Sequence, residues 1–277
     1  MAVPGPAGLV RRMGRIFDQK TGVAIIVAMD HGITGVPSGF ENPRSLFKTV
    51  LNSRPDGVLL NAGMARRCLD LMVGRDTPAL VLALDQVIHK LPRRTGSGVA
   101  HTRQISVNEA VRLGADCVKT MILMGDPDRR QTIENLAYIA QVAEECRIFE
   151  MPLMIEPYLW GEDVPKDPAC RAELNADGCR MAVELGADIV KTEYCGDPKR
   201  FREIVASSPV PVVILGGPKR HTQREVLADV VASAEAGALG LTIGRNVWEH
   251  PDPQKMTKAL TVAMASRDLD AALRELV

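Results

Sequence analysis

Short apolar runs alternate along the chain with longer stretches whose apolar positions recur at helical spacing. The runs read as strands are VAIIVAMD (23–30), GVLLNA (57–62), ALVLALD (79–85), DCVKTMIL (116–123), PLMIEPY (152–158), DIVKTEY (188–194), PVVILGG (211–217) and LGLTIG (239–244). They are continuously apolar rather than alternating, as parallel strands buried on both faces require. Helical segments fall between them, at about 42–53, 63–73, 106–114, 128–147, 171–185, 197–207, 222–236 and 252–264. Eight strands, each followed by a helix, predict an α/β fold of the (β/α)8 TIM-barrel type, as one domain over 1–277. GLVRRMGRIF reads as a short extra helix over the barrel bottom, and DLDAALRELV as a further helix at the end.

An internal echo agrees with this count. AVRLGADCVKT (110–120) and AVELGADIVKT (182–192) match at nearly every position, and SAEAGALGLTIG (233–244) is a looser copy. In each, a helix stops at a glycine and a strand follows, which marks a repeated structural unit and says nothing about chemistry. The longest apparently irregular stretch, QVIHKLPRRTGSGVAHTRQ (86–104), follows the third strand on the face where barrel active sites lie.

Composition narrows the class. Aromatics make up only 4% of the 277 residues, so branched aliphatics, Ala and Met must fill the core. The formal net charge of zero gives no pull toward nucleic acid or an anionic membrane. Six scattered cysteines without a CxxC pair read as reduced thiols. Neither a secretory h-region nor a membrane-length apolar stretch is present, so a cytoplasmic location is expected.

The predicted strand ends bring polar groups to one rim. These are Asp30 and His31 (first strand), Asp85 (third), Lys119 (fourth), Glu156 and Tyr158 (fifth), Lys191 and Glu193 (sixth), GGPK at 216–219 (seventh) and GRN at 244–246 (eighth). Carboxylates, a phenol and lysines converging there suit carbonyl chemistry. Alternation puts Ile189, Lys191 and Glu193 on one side of their strand, with Lys191 inward. An inward lysine near the mouth can act as a nucleophile, or it can be a structural ion-pair partner of a carboxylate such as Asp30. Lys119 holds the equivalent place in the fourth strand, so position alone does not choose between the lysines. Tyr158 reads as an acid/base or as a packed rim residue, and Glu156 as a polar rim group with no assignable task.

Gly216 and Gly217 after the seventh strand, with Gly244 and Arg245 after the eighth, give a phosphate-binding pattern. The five histidines form no HxH or HxxxH pair, so no metal and no cofactor are expected. His31 reads as shaping its loop or contacting a substrate hydroxyl.

VAMDHG, PLMIEPY, GADIVKTEYCGDPKRFREIV, PVPVVILGGPK and TIGRNVW together resemble the class I aldolases of the archaeal fructose-bisphosphate aldolase type. That family includes 2-amino-3,7-dideoxy-hept-6-ulosonate synthase and the enzyme acting on phosphorylated autoinducer-2. It lies within the deoxyribose-phosphate and tagatose-bisphosphate aldolase superfamily. The resemblance runs from about residue 15 to 260 and is most specific over 182–248. It implies Lys191 as the Schiff-base lysine, Tyr158 as proton-transfer acid/base and Asp30 as the motif aspartate. It also implies phosphate loops at Gly216, Gly217, Gly244 and Arg245, a phosphorylated keto-sugar as substrate, and homo-oligomeric assembly.

The chain departs from the pattern at GVP (35–37), where relatives often carry GP. VKTMILMGD resembles the tagatose-bisphosphate and sulfofructose-phosphate aldolase branch, which implies a place for Lys119 near the Schiff base or an anionic group. The stretch with Arg93 and Arg94 matches no member well and would supply a second anion contact. A transaldolase-like synthase or an acyl-transferring relative shares the same first steps. A non-catalytic sugar-phosphate-binding barrel is the alternative of another class.

Overall fold

A computed structural model describes residues 5–88, 100–216 and 222–277. The described residues form ten strands: β1 (Ala24–Ala28), β2 (Gly57–Asn61), β3 (Ala79–Ala83), β4 (Asp85–Ile88), β5 (Ala100–Arg103), β6 (Cys117–Met124), β7 (Leu153–Leu159), β8 (Ile189–Thr192), β9 (Val212–Leu215) and β10 (Gly240–Ile243). Eight of them close a parallel barrel in the order β1-β10-β9-β8-β7-β6-β3-β2. This is the (β/α)8 barrel expected from the apolar runs. The exception is the stretch expected to be irregular. Its two ends form the antiparallel pair β4–β5, with Asp85 opposite Arg103 and Gln86 opposite Thr102.

The helices are α1 (Ala7–Ile16), α2 (Pro43–Asn52), α3 (Ala62–Cys68), α4 (Val107–Arg112), α5 (Arg129–Phe149), α6 (Pro168–Glu184), α7 (Pro198–Ala206), α8 (Gln223–Glu235), α9 (Arg245–Trp248), α10 (Pro253–Ser266) and α11 (Leu269–Arg274). Four of them begin alike. Asn42, Asp167, Asp197 and Asp252 each accept backbone N–H bonds as N-caps, and each is followed by proline at the first helical position. Proline has no N–H to leave unpaired there and its φ suits the helix, so the Asx-Pro dipeptide fixes the helix start.

Strand alternation sorts the apolar side chains into two cores. One set faces the helices and includes Ile25, Val27, Leu60, Leu82, Val118, Leu153 and Val190. The other fills the barrel: Ala24, Ile26, Leu59, Val81, Cys117, Met154, Ile189 and Val213. Ile16 of α1 joins this inner set at 0% exposure, with Met13 and Phe17 packed against it. The amphipathic first helix therefore stoppers the barrel bottom, as its sequence predicts.

The echoed GAD strings have a structural cause. Gly114, Gly186 and Gly237 all have positive φ, where a side chain is disfavoured. The aspartate that follows in two copies caps a neighbouring strand: Asp116 Oδ2 accepts from Leu80 N at 2.9 Å, and Asp188 Oδ2 from Leu153 N at 3.0 Å. Asp56, outside the echo, does the same for Ile25 N at 2.8 Å. Burial pushes the Asp56 carboxyl up from 3.8 to about 6, against the lowering effect of the Ile25 N–H. The folded state thus holds the Asp56 proton more tightly than the unfolded chain does. That contribution to stability is complete below the unfolded value and is lost as pH rises through about 6. Asp56→Asn keeps an acceptor for Ile25 and cannot ionise. Urea denaturation is expected to give equal stability for the two proteins near pH ~4 and a more stable variant near pH ~7.5. Equal stability at both ends would contradict the burial argument.

Candidate active site

The C-terminal mouth of the barrel opens into a cavity of about 540 Å³, lined among the described residues by Asp30, Gln86, Tyr158, Lys191, Thr242, Arg245 and others. That volume is within the range of small-ligand sites. Strand alternation carries Met154, Glu156 and Tyr158 up the inner face of β7, and Ile189 and Lys191 up that of β8. Lys191 ends at the cavity floor, 6% exposed.

The floor is an ion cluster. Glu156 Oε2 lies 2.9 Å from Lys191 Nζ and 3.0 Å from Lys119 Nζ. Register explains why the two lysines of near-identical strings differ. Lys119 is level with Met154, whereas Lys191 stands two residues above Ile189, which is also level with Met154. Lys119 is therefore one layer deeper. It is 0% exposed and does not line the cavity. Lys119, expected at substrate phosphate or near the Schiff base, lies beside Lys191 on the shared Glu156 and not in the cavity lining.

The carboxylate that pairs with both lysines is Glu156. Glu156, expected as a rim group without a task, is 3% exposed and holds both lysines, the role considered for Asp30. Burial alone would raise its pKa, but the two ammonium groups outweigh that and hold it at about 2. Burial also disfavours the Lys119 ammonium, yet the charges of Glu156, Asp30 and Asp85 more than compensate and raise its pKa. Of the two lysines, Lys191 is the one that meets the cavity.

Asp30 is buried at 6% and lines the cavity beside His31, with Oδ1 3.6 Å from His31 Nδ1. Its carbonyl accepts from Asn61 Nδ2 at 2.6 Å. Burial holds the His31 imidazole below its usual value, with Lys191 and Arg245 acting in the same direction. Tyr158 packs against Val87, Met121 and Leu123 and stacks on Trp160, with centroids 6.4 Å apart. Burial, then the Glu156 charge, pushes its phenol up to about 12, so it keeps its proton at neutral pH.

Asp85 and Glu193 are elsewhere than expected. Asp85 is fully buried and turned from the cavity: its Oδ2 accepts from Thr120 Oγ1 and Met121 N and lies 2.9 Å from His101 Nε2. It pins β4 and β5 to β6. Glu193 lies just past the end of β8, where alternation stops, and forms a forked pair with Arg171 at 2.7 Å on both branches. Asn175 of α6, which no sequence signal singled out, accepts from Thr192 Oγ1 at 2.6 Å and steadies the strand beside Lys191.

A family of aldolases described as DeoC/LacD matches residues 24–250. The chain belongs to the DeoC/LacD aldolase family. This aldolase is 37% identical over 261 residues to the fructose-bisphosphate aldolase class 1 of Thermoproteus tenax, covering 92% of this chain and 94% of that one. It is 32% identical to the 2-amino-4,5-dihydroxy-6-oxo-7-(phosphonooxy)heptanoate synthase of Streptomyces griseus, over 94% and 92% of the two chains. An archaeal fructose-1,6-bisphosphate aldolase solved with its catalytic lysine bound to the carbinolamine intermediate superimposes with a TM-score of 0.79. It shares 31% identity and covers 93% of this chain and 99% of its own.

On the far side of the aldolase's cavity lie Gly216, Gly244 and Arg245. Both glycines are needed for close approach. A Cβ on Gly216 would come within 2.5 Å of Ile243 Cγ1, and one on Gly244 within 2.8 Å of the Ala28 carbonyl oxygen. The Gly216 amide donates to Thr242 O at 3.0 Å, so it is committed to the barrel ladder rather than offered to an anion. Gly217 and Lys219 of the expected phosphate loop lie outside the described residues, as do Arg93 and Arg94.

Proposed function

We propose that this aldolase joins Lys191 as a Schiff base to the carbonyl of a phosphorylated ketose and cleaves a carbon–carbon bond reversibly. The observation that carries the reading is Lys191 Nζ at the cavity floor, sharing one carboxylate oxygen with a buried second lysine. The kinship to a fructose-bisphosphate aldolase, and to a structure whose catalytic lysine carries a carbinolamine, supports it.

The steps start from Lys191 at the cavity floor. The Lys191 amine adds to the carbonyl carbon and gives a carbinolamine. Tyr158, which enters with its proton, donates it to the departing hydroxyl; water leaves, and an iminium faces a phenolate. The phenolate takes the proton of the hydroxyl on the far carbon of the bond to be cleaved. That bond breaks toward the iminium, which becomes a neutral enamine as the aldehyde departs. Tyr158 returns the proton to the enamine carbon, and water releases the ketone from Lys191. Lysine covalency thus divides one difficult step into easier ones. The Glu156–Lys119 pair holds the charge balance beneath the reaction, and Asp30 with His31 orders the wall above it. Arg245 supplies forked donors for the phosphate on the β9–β10 side, together with Gly244.

The reading carries with it one catalytic domain over 1–277, a role in sugar-phosphate metabolism in the cytoplasm, and homo-oligomeric assembly. No helix among the described residues is long and apolar enough to cross a membrane.

Borohydride trapping with dihydroxyacetone phosphate and fructose 1,6-bisphosphate, followed by peptide mapping, tests it. A reduced adduct on Lys191 is expected. An adduct on Lys119 would move the chemistry to β6, and no adduct would favour the non-catalytic barrel. Tyr158→Phe is expected to slow cleavage by about a hundredfold, within the usual range for an acid/base, while a slower-forming adduct still accumulates. Unimpaired cleavage would remove Tyr158 from the mechanism.

A further inference from the structure

Two polar side chains in the cavity have no part in the steps above. Gln86 is 9% exposed and Thr242 2% exposed, and both line the cavity. Gln86 Oε1 and Thr242 Oγ1 have no hydrogen-bond partner among the described residues. Buried polar atoms are nearly always partnered, so a pair of unmatched ones facing one cavity marks where a ligand's polar groups belong. Which end of the Gln86 amide is the oxygen does not matter, because either way it offers a donor and an acceptor.

Their positions divide the cavity. Thr242 is in register with the barrel-filling Ile26 and with Leu215 of β9, directly below Gly244 and Arg245. It stands on the phosphate side of Lys191. Gln86 is on the opposite wall, with Val87, Met121, Tyr158 and Trp160. It is rigidly placed: Asp85 before it is bonded to Thr120, Met121 N and His101, and Val87 after it packs at 0% exposure. With the carbonyl on Lys191 and the phosphate toward Arg245, the rest of the substrate runs along Gln86. That is the half released as aldehyde, and it is the half whose hydroxyl Tyr158 deprotonates.

We infer that Gln86 selects the aldehyde half of the substrate by hydrogen bonding a hydroxyl beyond the cleaved bond, while Thr242 binds a hydroxyl of the ketone half that stays on Lys191. The substrate class is accordingly a ketose phosphate hydroxylated on both sides of that bond. This assignment rests on the Schiff-base reading.

The test separates the halves with Gln86→Leu and Thr242→Val, two substitutions of similar size. Fructose 1,6-bisphosphate cleavage is followed for each, alongside borohydride trapping of dihydroxyacetone phosphate, which supplies only the ketone half. Gln86→Leu is expected to lower kcat/KM for cleavage by about tenfold or more, the usual effect of one lost hydrogen bond, while trapping is retained. Thr242→Val is expected to weaken both. With unaltered protein in the condensation direction, glyceraldehyde 3-phosphate should outperform its 2-deoxy counterpart by a similar factor, which keeps the test independent of any folding defect. Equal use of the two aldehydes, or a Gln86→Leu protein whose trapping falls in step with cleavage, overturns the assignment alone. Absence of any adduct on unaltered protein overturns it together with the Schiff-base reading.

Discussion

Lys191→Met abolishes turnover, by roughly 10⁴-fold or more if the amine is the nucleophile, and leaves no borohydride-stable adduct. The fold is expected to survive the change, and the charge count says why. Lys191 and Lys119 share one carboxylate oxygen, so removing Lys191 leaves Glu156 and Lys119 as a balanced buried pair at 3.0 Å. Denaturation midpoints at or above that of the unaltered protein should accompany the loss of activity, and phosphate ligands should still bind. Residual turnover above background would place the nucleophile elsewhere. A protein that turns over no ketose phosphate in either form, yet binds them equally well, would be a sensor.

The reverse holds for Glu156→Gln. Without the carboxylate, two buried lysines within about 6 Å of each other lose the group that pairs with both, each lying within 3.0 Å of the same oxygen, and only the more distant charges of Asp30 and Asp85 act on Lys119. Removing one side of a buried ion pair costs about 3–5 kcal/mol, and here one side serves two partners. Urea denaturation should therefore find Glu156→Gln far less stable than Lys191→Met. Adding Lys119→Met to it should restore part of the loss, a coupling that independent sites would not give. The effect also has a pH signature. Glu156 is held at about 2, well below its ordinary 4.5, so the stability it lends is present above 4.5 and drains away as pH falls toward about 2. The gap between the unaltered protein and Glu156→Gln should narrow over that window. A gap independent of acidity would mean that the cluster is not ionised as described.

Much of this was legible in the chain because the signals are local. A buried parallel strand is a continuous apolar run, so all eight barrel strands lie within a residue or two of their expected ends. Asx-Pro marks four helix starts. The convergence of Asp30, His31, Tyr158, Lys191, Gly244 and Arg245 on one cavity follows once the strands are counted. What escaped is what depends on register between strands. VKT occurs in both β6 and β8, and nothing in either string says that the barrel stagger sets Lys119 one layer lower. Glu156 was readable in part: Met154, Glu156 and Tyr158 alternate, so an inward Tyr158 implies an inward Glu156. The hairpin arms β4 and β5 are four residues each and mix polar with apolar positions, too short for periodicity to show. Glu193 was misplaced because alternation was carried one residue past the end of β8.

The stopper formed by α1 has a consequence for traffic. With Ile16, Met13 and Phe17 wedged into the lower end, the described residues close the well from below, and its cavity opens above Lys191. The water that frees the ketone from the lysine has to enter by the route the sugar used, and the first product must leave by it too. While the aldehyde still occupies the upper wall it excludes that water, so departure precedes hydrolysis and the order of events is enforced by plumbing rather than by chemistry.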